Sequence, residues 1–263
     1  VAEFAVGAQE AAVRGLFVKG DGSNMYVVGN GSNNVFQYSL GGFNVGAEEQ
    51  TIEGIFFKPD GTKLYICGTA GDEVNEYSLS TAWDLSTASH SQFISIYSFS
   101  RDPASLFFKP DGTVMYVASQ QLTKAVLHFS LSSAWDVSTA SYVKQFDVSG
   151  QETSPTGVFF KDDGTKMYVT GTTYDAVNEY NLSTAWDVST ASYSQNFSLS
   201  SQDTSPQEIF FKGNGTKMYI LGDTNNKVYE YELSTAWDVS TASYTQDFFI
   251  NNIGGLLRGG LFF

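Results

Sequence analysis

Short apolar segments alternate with polar turns along this chain, and the pattern recurs at a long, nearly constant period. The clearest copy runs from Gly157 to Tyr193 and contains a Phe-Phe-Lys segment, an Asp-Asp-Gly-Thr turn, a Met-Tyr-Val segment and a valine-centred segment. Near-identical copies begin near residues 54, 105 and 208, and a shortened copy begins near residue 15. Self-similarity over such a period indicates a repeat architecture.

Each unit predicts four short strands, which we call a to d. The Phe-Phe-Lys and Met-Tyr segments predict strands a and b, because the Asp-Gly or Asn-Gly turn between them supplies the positive φ that tight hairpins need. Strand c is centred on a valine such as Val177, and strand d ends on a phenylalanine such as Phe197. The units contain no amphipathic helical segment, which disfavours an α/β solenoid.

Strands a and b are apolar without strict alternation, so both faces of each sheet are expected to be buried. A small antiparallel sheet covered on both faces by copies of itself is a propeller blade. We therefore predict an all-β fold, a β-propeller of four-stranded antiparallel blades, as a single domain over residues 1–263. Units starting near residues 15, 54, 105, 157 and 208 make five blades the simplest ring. Partial repeats at both ends, around Phe4 and over residues 260–263, leave a truncated ring of six or seven blades as the alternative.

Charge and cysteine content narrow the classes of partner. The chain carries 14 basic and 28 acidic residues, a net charge of −14, and it has no basic stripe that would neutralise phosphates. We therefore do not expect nucleic acid as a partner. We also do not expect membrane insertion, since no apolar run approaches the roughly 18 residues of a spanning helix. The lone cysteine, Cys67, excludes an internal disulfide and a cysteine-based metal cluster. No cofactor and no metal site are predicted.

An insert that reads Leu-Ser-Thr-Ala-Trp-Asp, with Ser133 in place of the threonine in one copy, separates strands c and d in four units. Its indoles suit a ring of aromatic platforms for sugar faces, because indole is large, rigid and carries one polar donor. They equally suit a structural role in which each indole fills the seam between two blades, and we favour the seam. The aspartate after each tryptophan is expected to accept backbone N–H bonds as a cap or Asx-turn. The tryptophans are Trp83, Trp135, Trp186 and Trp237.

Polar side chains recur in the loops from strand d to strand a, on the opposite face of the predicted ring. A ring of carboxylates around a propeller mouth would suit a cation, or a cationic or hydroxyl-rich ligand. The alternative, which we favour, is that these groups satisfy backbone donors of the loops. The candidate ligand-binding residues are Glu10, Glu49, Gln151, Glu152, Gln202 and Asp203.

The part of each unit from strand a to strand c resembles the YVTN-type β-propeller repeats. The residues that carry the resemblance are the Asp-Gly turn and Tyr-Val strand within Asp163–Thr170, followed by Val177. The resemblance implies a propeller and brings with it the activity of lactonase-like hydrolases. The longer unit with its insert is similar to repeat arrays of marine bacteriophage virion and fibre-like proteins, which implies a structural or attachment role and carries over no catalytic residue.

No catalytic constellation is visible in the sequence. His90 and His128 occupy positions held by Tyr193 and Glu179 in another unit, and no phosphate loop or nucleophile elbow occurs. Because the units are so even, we predict that the chain is not an enzyme. The expected function is a binding or structural module at a virion or extracellular surface, contacting a glycan or protein partner through a loop face as part of a larger assembly.

The alternative function is a lactonase-like hydrolase. One fold hosts many functions, and only the residues of the site distinguish these functions. A hydrolase therefore requires a residue in a cleft that has no counterpart in the other units. The nearest candidates in the sequence are the Arg101-Asp102 pair and Arg258.

Overall fold

The computed structural model describes residues 13–19, 25–29, 34–37, 41–44 and 47–249. These residues form twenty β-strands and four single turns of 3-10 helix. The partial repeats expected at the two ends, including Glu10, Phe4 and residues 260–263, lie outside the described residues.

The strands form five four-stranded sheets in which neighbours pair antiparallel. The first contains β1 (Val13–Val18), β2 (Met25–Gly29), β3 (Asn34–Gln37) and β4 (Gly41–Asn44). The second contains β5 (Ile52–Phe57), β6 (Lys63–Gly68), β7 (Glu73–Leu79) and β8 (Ala88–Ser95). The third contains β9 (Pro103–Phe108), β10 (Val114–Ser119), β11 (Ala125–Leu131) and β12 (Ala140–Asp147).

The fourth sheet contains β13 (Pro155–Phe160), β14 (Lys166–Gly171), β15 (Ala176–Leu182) and β16 (Ala191–Ser198). The fifth contains β17 (Pro206–Phe211), β18 (Lys217–Gly222), β19 (Lys227–Leu233) and β20 (Ala242–Phe249). The 3-10 turns lie in the four inserts, at Leu85–Thr87, Val137–Thr139, Val188–Thr190 and Val239–Thr241.

The sheets are arranged as blades around a central axis. Strand order in each sheet follows the chain, and the first strand of each blade contacts the first strands of both neighbouring blades. The ring closes because β1 packs against β5 on one side and against β17 on the other. The predicted all-β propeller of four-stranded antiparallel blades is confirmed, and the described residues supply five of these sheets.

Burial follows the position of each strand in its blade. In β14, Met167, Tyr168 and Val169 are fully buried, since neighbouring blades cover both faces of the sheet. The outermost strand differs, because every residue of β16 is exposed or half-buried and Tyr193 is 44% exposed. Burial of both faces is therefore confirmed for strands a and b, while strand d forms the solvent-facing perimeter.

Each tryptophan of the inserts fills a seam between two blades. The ring of Trp186 stacks on Phe160 of its own blade and on Phe107 of the preceding blade, with centroids 5.8 and 6.5 Å away. Its carbonyl accepts a 2.6 Å hydrogen bond from the Tyr116 hydroxyl, which also lies in the preceding blade. The indole lies over Gly164, where a Cβ would overlap the ring and where φ is +71°. The tryptophan itself has φ +67°, a costly conformation that this packing maintains.

The aspartate after each tryptophan caps the following 3-10 turn. Asp187 accepts a 3.0 Å bond from the Ser189 backbone N–H and a 2.6 Å bond from its hydroxyl. Asp84, Asp136 and Asp238 make the same contacts in the other inserts. The predicted capping role is confirmed.

Candidate active site

A polar cavity of about 350 Å³ opens on the face that carries the d-to-a and b-to-c loops. We call it the polar mouth. Three positions of the repeat supply its walls. The first is the residue at the register shift near the start of strand a, and the second lies two residues before that register shift. The third is the residue that follows strand b. A bulge re-aims a side chain out of the ladder, which accounts for the first position. The wall residues are Arg14, Glu53, Ala104, Thr156, Gln207, Thr69, Gln120, Thr172, Asp223, Asp102, Ser154 and Ser205.

The charged residues of the polar mouth form one cluster that draws on four blades. Arg14 Nη1 lies 2.6 Å from Asp223 Oδ2, and Arg14 Nε lies 3.3 Å from Glu53 Oε2. These side chains are between 13% and 24% exposed, so the pairs are partly desolvated yet reachable from the mouth. Asp102 lies on the same wall. The cluster thus combines one guanidinium with three carboxyl groups from the first, second, third and fifth units.

Burial is the main influence on the protonation of two carboxyl groups of this cluster, Glu53 and Asp102. It raises the pKa of Glu53 to about 7, because the lost hydration outweighs the nearby Arg14 charge, and the Asp102 and Asp223 carboxylates add to the rise. Burial also raises the pKa of Asp102 above its usual value. A carboxyl group with a pKa near 7 exchanges protons readily at neutral pH, which is the property that a general base or acid requires.

A second unusual carboxyl group lies on the propeller axis, near the polar mouth. Glu208 is fully enclosed, accepts a 2.9 Å bond from the Ser105 hydroxyl across the axis, and accepts a 3.0 Å bond from the Ile209 N–H. Its side chain passes over Gly157, where a Cβ would lie 2.8 Å from its carboxyl oxygen. Burial raises the pKa of Glu208 to about 8, so the group is largely protonated at neutral pH.

Sequence reasoning missed both groups, although a signal was present. Position by position, Glu208 stands where the other units have Gly15, Gly54, Ser105 and Gly157. The position before it varies still more, with arginine, glutamate, alanine, threonine and glutamine in successive units. Comparing the residues that directly precede each Phe-Phe or Phe-Val segment would have identified these breaks in an otherwise even repeat.

The carboxylates proposed from the d-to-a loops are buried inside those loops. Glu49 and Glu152 are fully buried and Asp203 is 2% exposed. Each accepts backbone N–H bonds from its own loop and from the b-to-c loop of its blade; for Glu152 the donors are Ser154 at 2.8 Å and Thr173 at 3.2 Å. These three carboxylates tie two loops together, and the walls of the polar mouth are formed by other residues.

The other residues that the sequence suggested for a site lie in different parts of the fold. Gln151 and Gln202 are half-buried in the same loops, and the Gln202 side chain accepts a 3.5 Å bond from Tyr231. Of the pair noted for a hydrolase, Asp102 lines the polar mouth, whereas Arg101 is exposed with its guanidinium 3.7 Å from the centre of the Tyr97 ring. Glu10 and Arg258 lie outside the described residues. The tryptophans occupy the seams, and Trp83 and Trp135 also line a cavity on the opposite face.

Among the described residues, no group of three or more histidine, cysteine, aspartate or glutamate side chains is arranged to hold a metal ion. The same part of the chain contains no helix with the length and apolar character needed to cross a bilayer.

Solved structures share this fold at low sequence identity. A putative 6-phosphogluconolactonase from Bacteroides uniformis is 15% identical with a TM-score of 0.57, and the match covers 89% of this chain and 70% of that one. The periplasmic gluconolactonase of Pseudomonas aeruginosa is 14% identical with a TM-score of 0.55, over 89% and 68% of the two chains. Hydrazine synthase from Kuenenia stuttgartiensis is 13% identical with a TM-score of 0.55, over 86% and 78%. No protein-family model and no curated protein matches the chain.

These comparisons correct the prediction that the chain is not an enzyme. Two of the structures that share its fold are named as a lactonase or a putative lactonase, and the even repeat on which the prediction depended is broken at Glu53, Arg14 and Glu208. At this level of identity the likeness establishes the propeller fold. The YVTN-type and bacteriophage resemblances find no support in these comparisons.

Proposed function

We propose that this chain is a lactonase-like hydrolase whose active site is the polar mouth. The observation that carries the proposal is Glu53, a largely buried carboxyl group with a pKa near 7 that lies 3.3 Å from the Arg14 guanidinium in an open cavity. A base and a fixed cation on one wall are the two groups that ester hydrolysis needs most. The names of two structural neighbours point to the same reaction class.

The proposed reaction uses water as the nucleophile. Ionised Glu53 accepts a proton from a water molecule, and the resulting hydroxide adds to the lactone carbonyl carbon. The carbonyl oxygen takes up the negative charge, and Arg14 stabilises it. Collapse of this intermediate breaks the ring C–O bond, and the leaving oxygen receives the proton from Glu53. The products are one carboxylic acid and one free hydroxyl group, with Glu53 regenerated.

Arg14 is suited to this role by its fixed position. Its Nη1 is bonded to Asp223 at 2.6 Å and to the Val13 carbonyl at 3.1 Å, so the guanidinium is oriented before substrate arrives. Within the described residues, Nη2 of Arg14 makes no hydrogen bond. A pre-oriented donor gains more from developing negative charge than a mobile one, because no reorganisation is needed.

The charge of the polar mouth bears on the substrate. Three carboxyl groups surround one guanidinium, so a phosphorylated lactone would meet repulsion, and an uncharged lactone is favoured. Hydroxyl and amide side chains of Thr69, Thr172 and Gln120 complete the wall and would bond to a polyhydroxylated ring. We therefore infer a neutral sugar lactone as the substrate class, which retains the expected contact with a glycan-like ligand.

The location proposed with this function is outside the cytoplasm. It is supported by one structural neighbour, which is a periplasmic gluconolactonase. Expression of the full open reading frame with a carboxy-terminal tag, followed by fractionation, tests it. Recovery of the tagged protein with the cytoplasmic fraction would refute the location without touching the activity.

The activity is tested by following acid release from gluconolactone with a pH indicator, after subtraction of spontaneous hydrolysis. We expect turnover that rises with pH through about 7, because Glu53 acts as a base only when ionised. Glu53→Gln should lower kcat by roughly 10²–10⁴-fold. Asp111→Asn, on the opposite face, serves as the matched charge control and should retain full activity. Turnover that is unchanged in Glu53→Gln, or absent in the purified protein, would refute the proposal.

A further inference from the structure

The face opposite the polar mouth carries an aromatic cavity of about 540 Å³, which we call the aromatic cup. Its floor is a ring of five phenylalanines, one from strand a of each blade. Centroid distances between consecutive rings are 5.7, 5.6, 5.3, 5.5 and 6.5 Å, which close a pentagon around the axis. The five residues are Phe17, Phe56, Phe107, Phe159 and Phe210.

The planes of these rings stand close to parallel to the propeller axis. Consecutive rings are inclined to each other by 67–75°, close to the 72° by which neighbouring blades of a five-fold ring are rotated. On one face, four of the rings stack against the tryptophan of the next blade at 6.0–6.5 Å. The cup is therefore a rigid aromatic enclosure rather than a loose apolar patch.

The dimensions of the pentagon suit one small group on the axis. The centre of a pentagon lies about 0.85 of its side from each corner, so such a group would be about 5 Å from all five centroids. A cation that lies over the face of an aromatic ring, within about 6 Å of its centroid, is attracted by the ring quadrupole. The protein already places an ammonium group on this surface, since Lys19 Nζ lies 5.3 Å from the centre of the Trp83 ring, and Trp83 lines the cup.

The rim of the cup carries one carboxylate that breaks the repeat. Asp162 lines the cavity, where the equivalent positions hold Pro59, Pro110 and Gly213. The adjacent Asp163 forms an ion pair with Lys161 at 2.7 Å, whereas Asp162 forms none within the described residues. Burial and the Asp163 charge raise the pKa of Asp162, and the nearby Lys161 charge offsets only part of this rise.

We propose that the aromatic cup is a binding site for a small organic ammonium ion, with the five phenylalanines enclosing the cationic head and Asp162 pairing with its charge. A net charge of −14 adds a favourable long-range potential for such a ligand. The site lies on the face away from the polar mouth, so it is independent of the proposed hydrolase activity.

Choline and dimethylbutanol, its uncharged isostere in which carbon replaces nitrogen, are the probes for this site. Isothermal titration and the fluorescence of Trp83 and Trp135, which line the cup, report binding. We expect choline to bind at least about tenfold more tightly than the isostere, since only the cation gains from the ring quadrupoles and from Asp162. Equal affinities would overturn the proposal and leave an apolar pocket, and so would the absence of choline binding to the folded protein.

The matched variant is Asp162→Pro, because two other blades carry proline at this position and fold around it. It should weaken choline binding about three- to tenfold and leave the isostere unaffected. Glu232→Gln, on the exposed side of β19, removes one negative charge elsewhere and should not change either affinity. Asp162→Asn provides a second test if the proline variant melts at a lower temperature. Choline affinity unchanged in both Asp162 variants would overturn the proposed role of the carboxylate.

Discussion

Replacing Glu208 with glutamine is expected to stabilise the protein, and to do so more at neutral than at acidic pH. The folded protein holds the Glu208 proton more tightly than the unfolded chain, because the carboxyl group is enclosed and its pKa is raised from 4.5 to about 8. The unfolded chain therefore releases the proton first as the pH rises. The free energy of unfolding falls as the pH increases from about 4.5 to about 8 and is unaffected by this group above that window.

The magnitude follows from the shift. A pKa change of this size corresponds to at most about 5 kcal/mol when both pKa values have been passed. Between about pH 5 and about pH 7 the penalty grows by about 2–3 kcal/mol. Glutamine does not ionise, its amide oxygen can accept the Ile209 N–H bond, and its amide nitrogen can donate to the Ser105 hydroxyl oxygen. The stability difference between the variant and the original protein should therefore widen by about 2–3 kcal/mol over that pH interval.

The assay is urea denaturation at a series of pH values, monitored by tryptophan fluorescence and by far-ultraviolet circular dichroism. Glu232→Gln is the control, because its carboxylate is 61% exposed, and its stability should follow the pH profile of the original protein. Glu53 also binds its proton more tightly in the folded state, but it is present in both proteins and cancels in the difference. Parallel profiles for Glu208→Gln and the original protein would refute the reasoning.

Three other outcomes are expected. Trp186→Ala should lower the free energy of unfolding by about 3 kcal/mol in urea titrations, because it empties a seam between blades; a loss under about 1 kcal/mol would contradict the seam role. Glu179→Gln should lower the free energy of unfolding by about 2 kcal/mol, since the buried carboxylate pairs with Lys166 and accepts a backbone N–H bond from the next blade. His128→Gln, at the equivalent position of another blade, should lower it by less than about 1 kcal/mol. Cys67, fully buried and with a raised pKa, should react with an aromatic disulfide reagent only when the protein opens, so rapid reaction under native conditions would contradict its placement.

Some residues of the candidate site can be identified by comparing the repeat units in the sequence, and others cannot. Glu208 replaces glycine or serine at one position of the repeat, so aligning the units would have singled it out. The pairing of Arg14 with Asp223 is different, because 209 positions separate the two residues and no sequence pattern connects them. Conversely, the sequence left Glu49 and Glu152 open between a ring of ligands and the favoured role as acceptors for loop donors, and in the structure backbone N–H donors occupy both carboxylates.

The sequence alone determined the repeat, the hairpin turns, the buried strands and therefore the propeller, because all of these depend on the order of residues within about fifty positions. The tertiary structure decided which of the repeated positions meet. Closure of the ring brings strand a of every blade to the axis. The bulge at the start of strand a then directs the side chains of Arg14 and Glu53 toward the same cavity. The tertiary structure also decided the protonation of Glu53 and Glu208, since the pKa of each carboxyl group depends on the exclusion of solvent by the assembled blades.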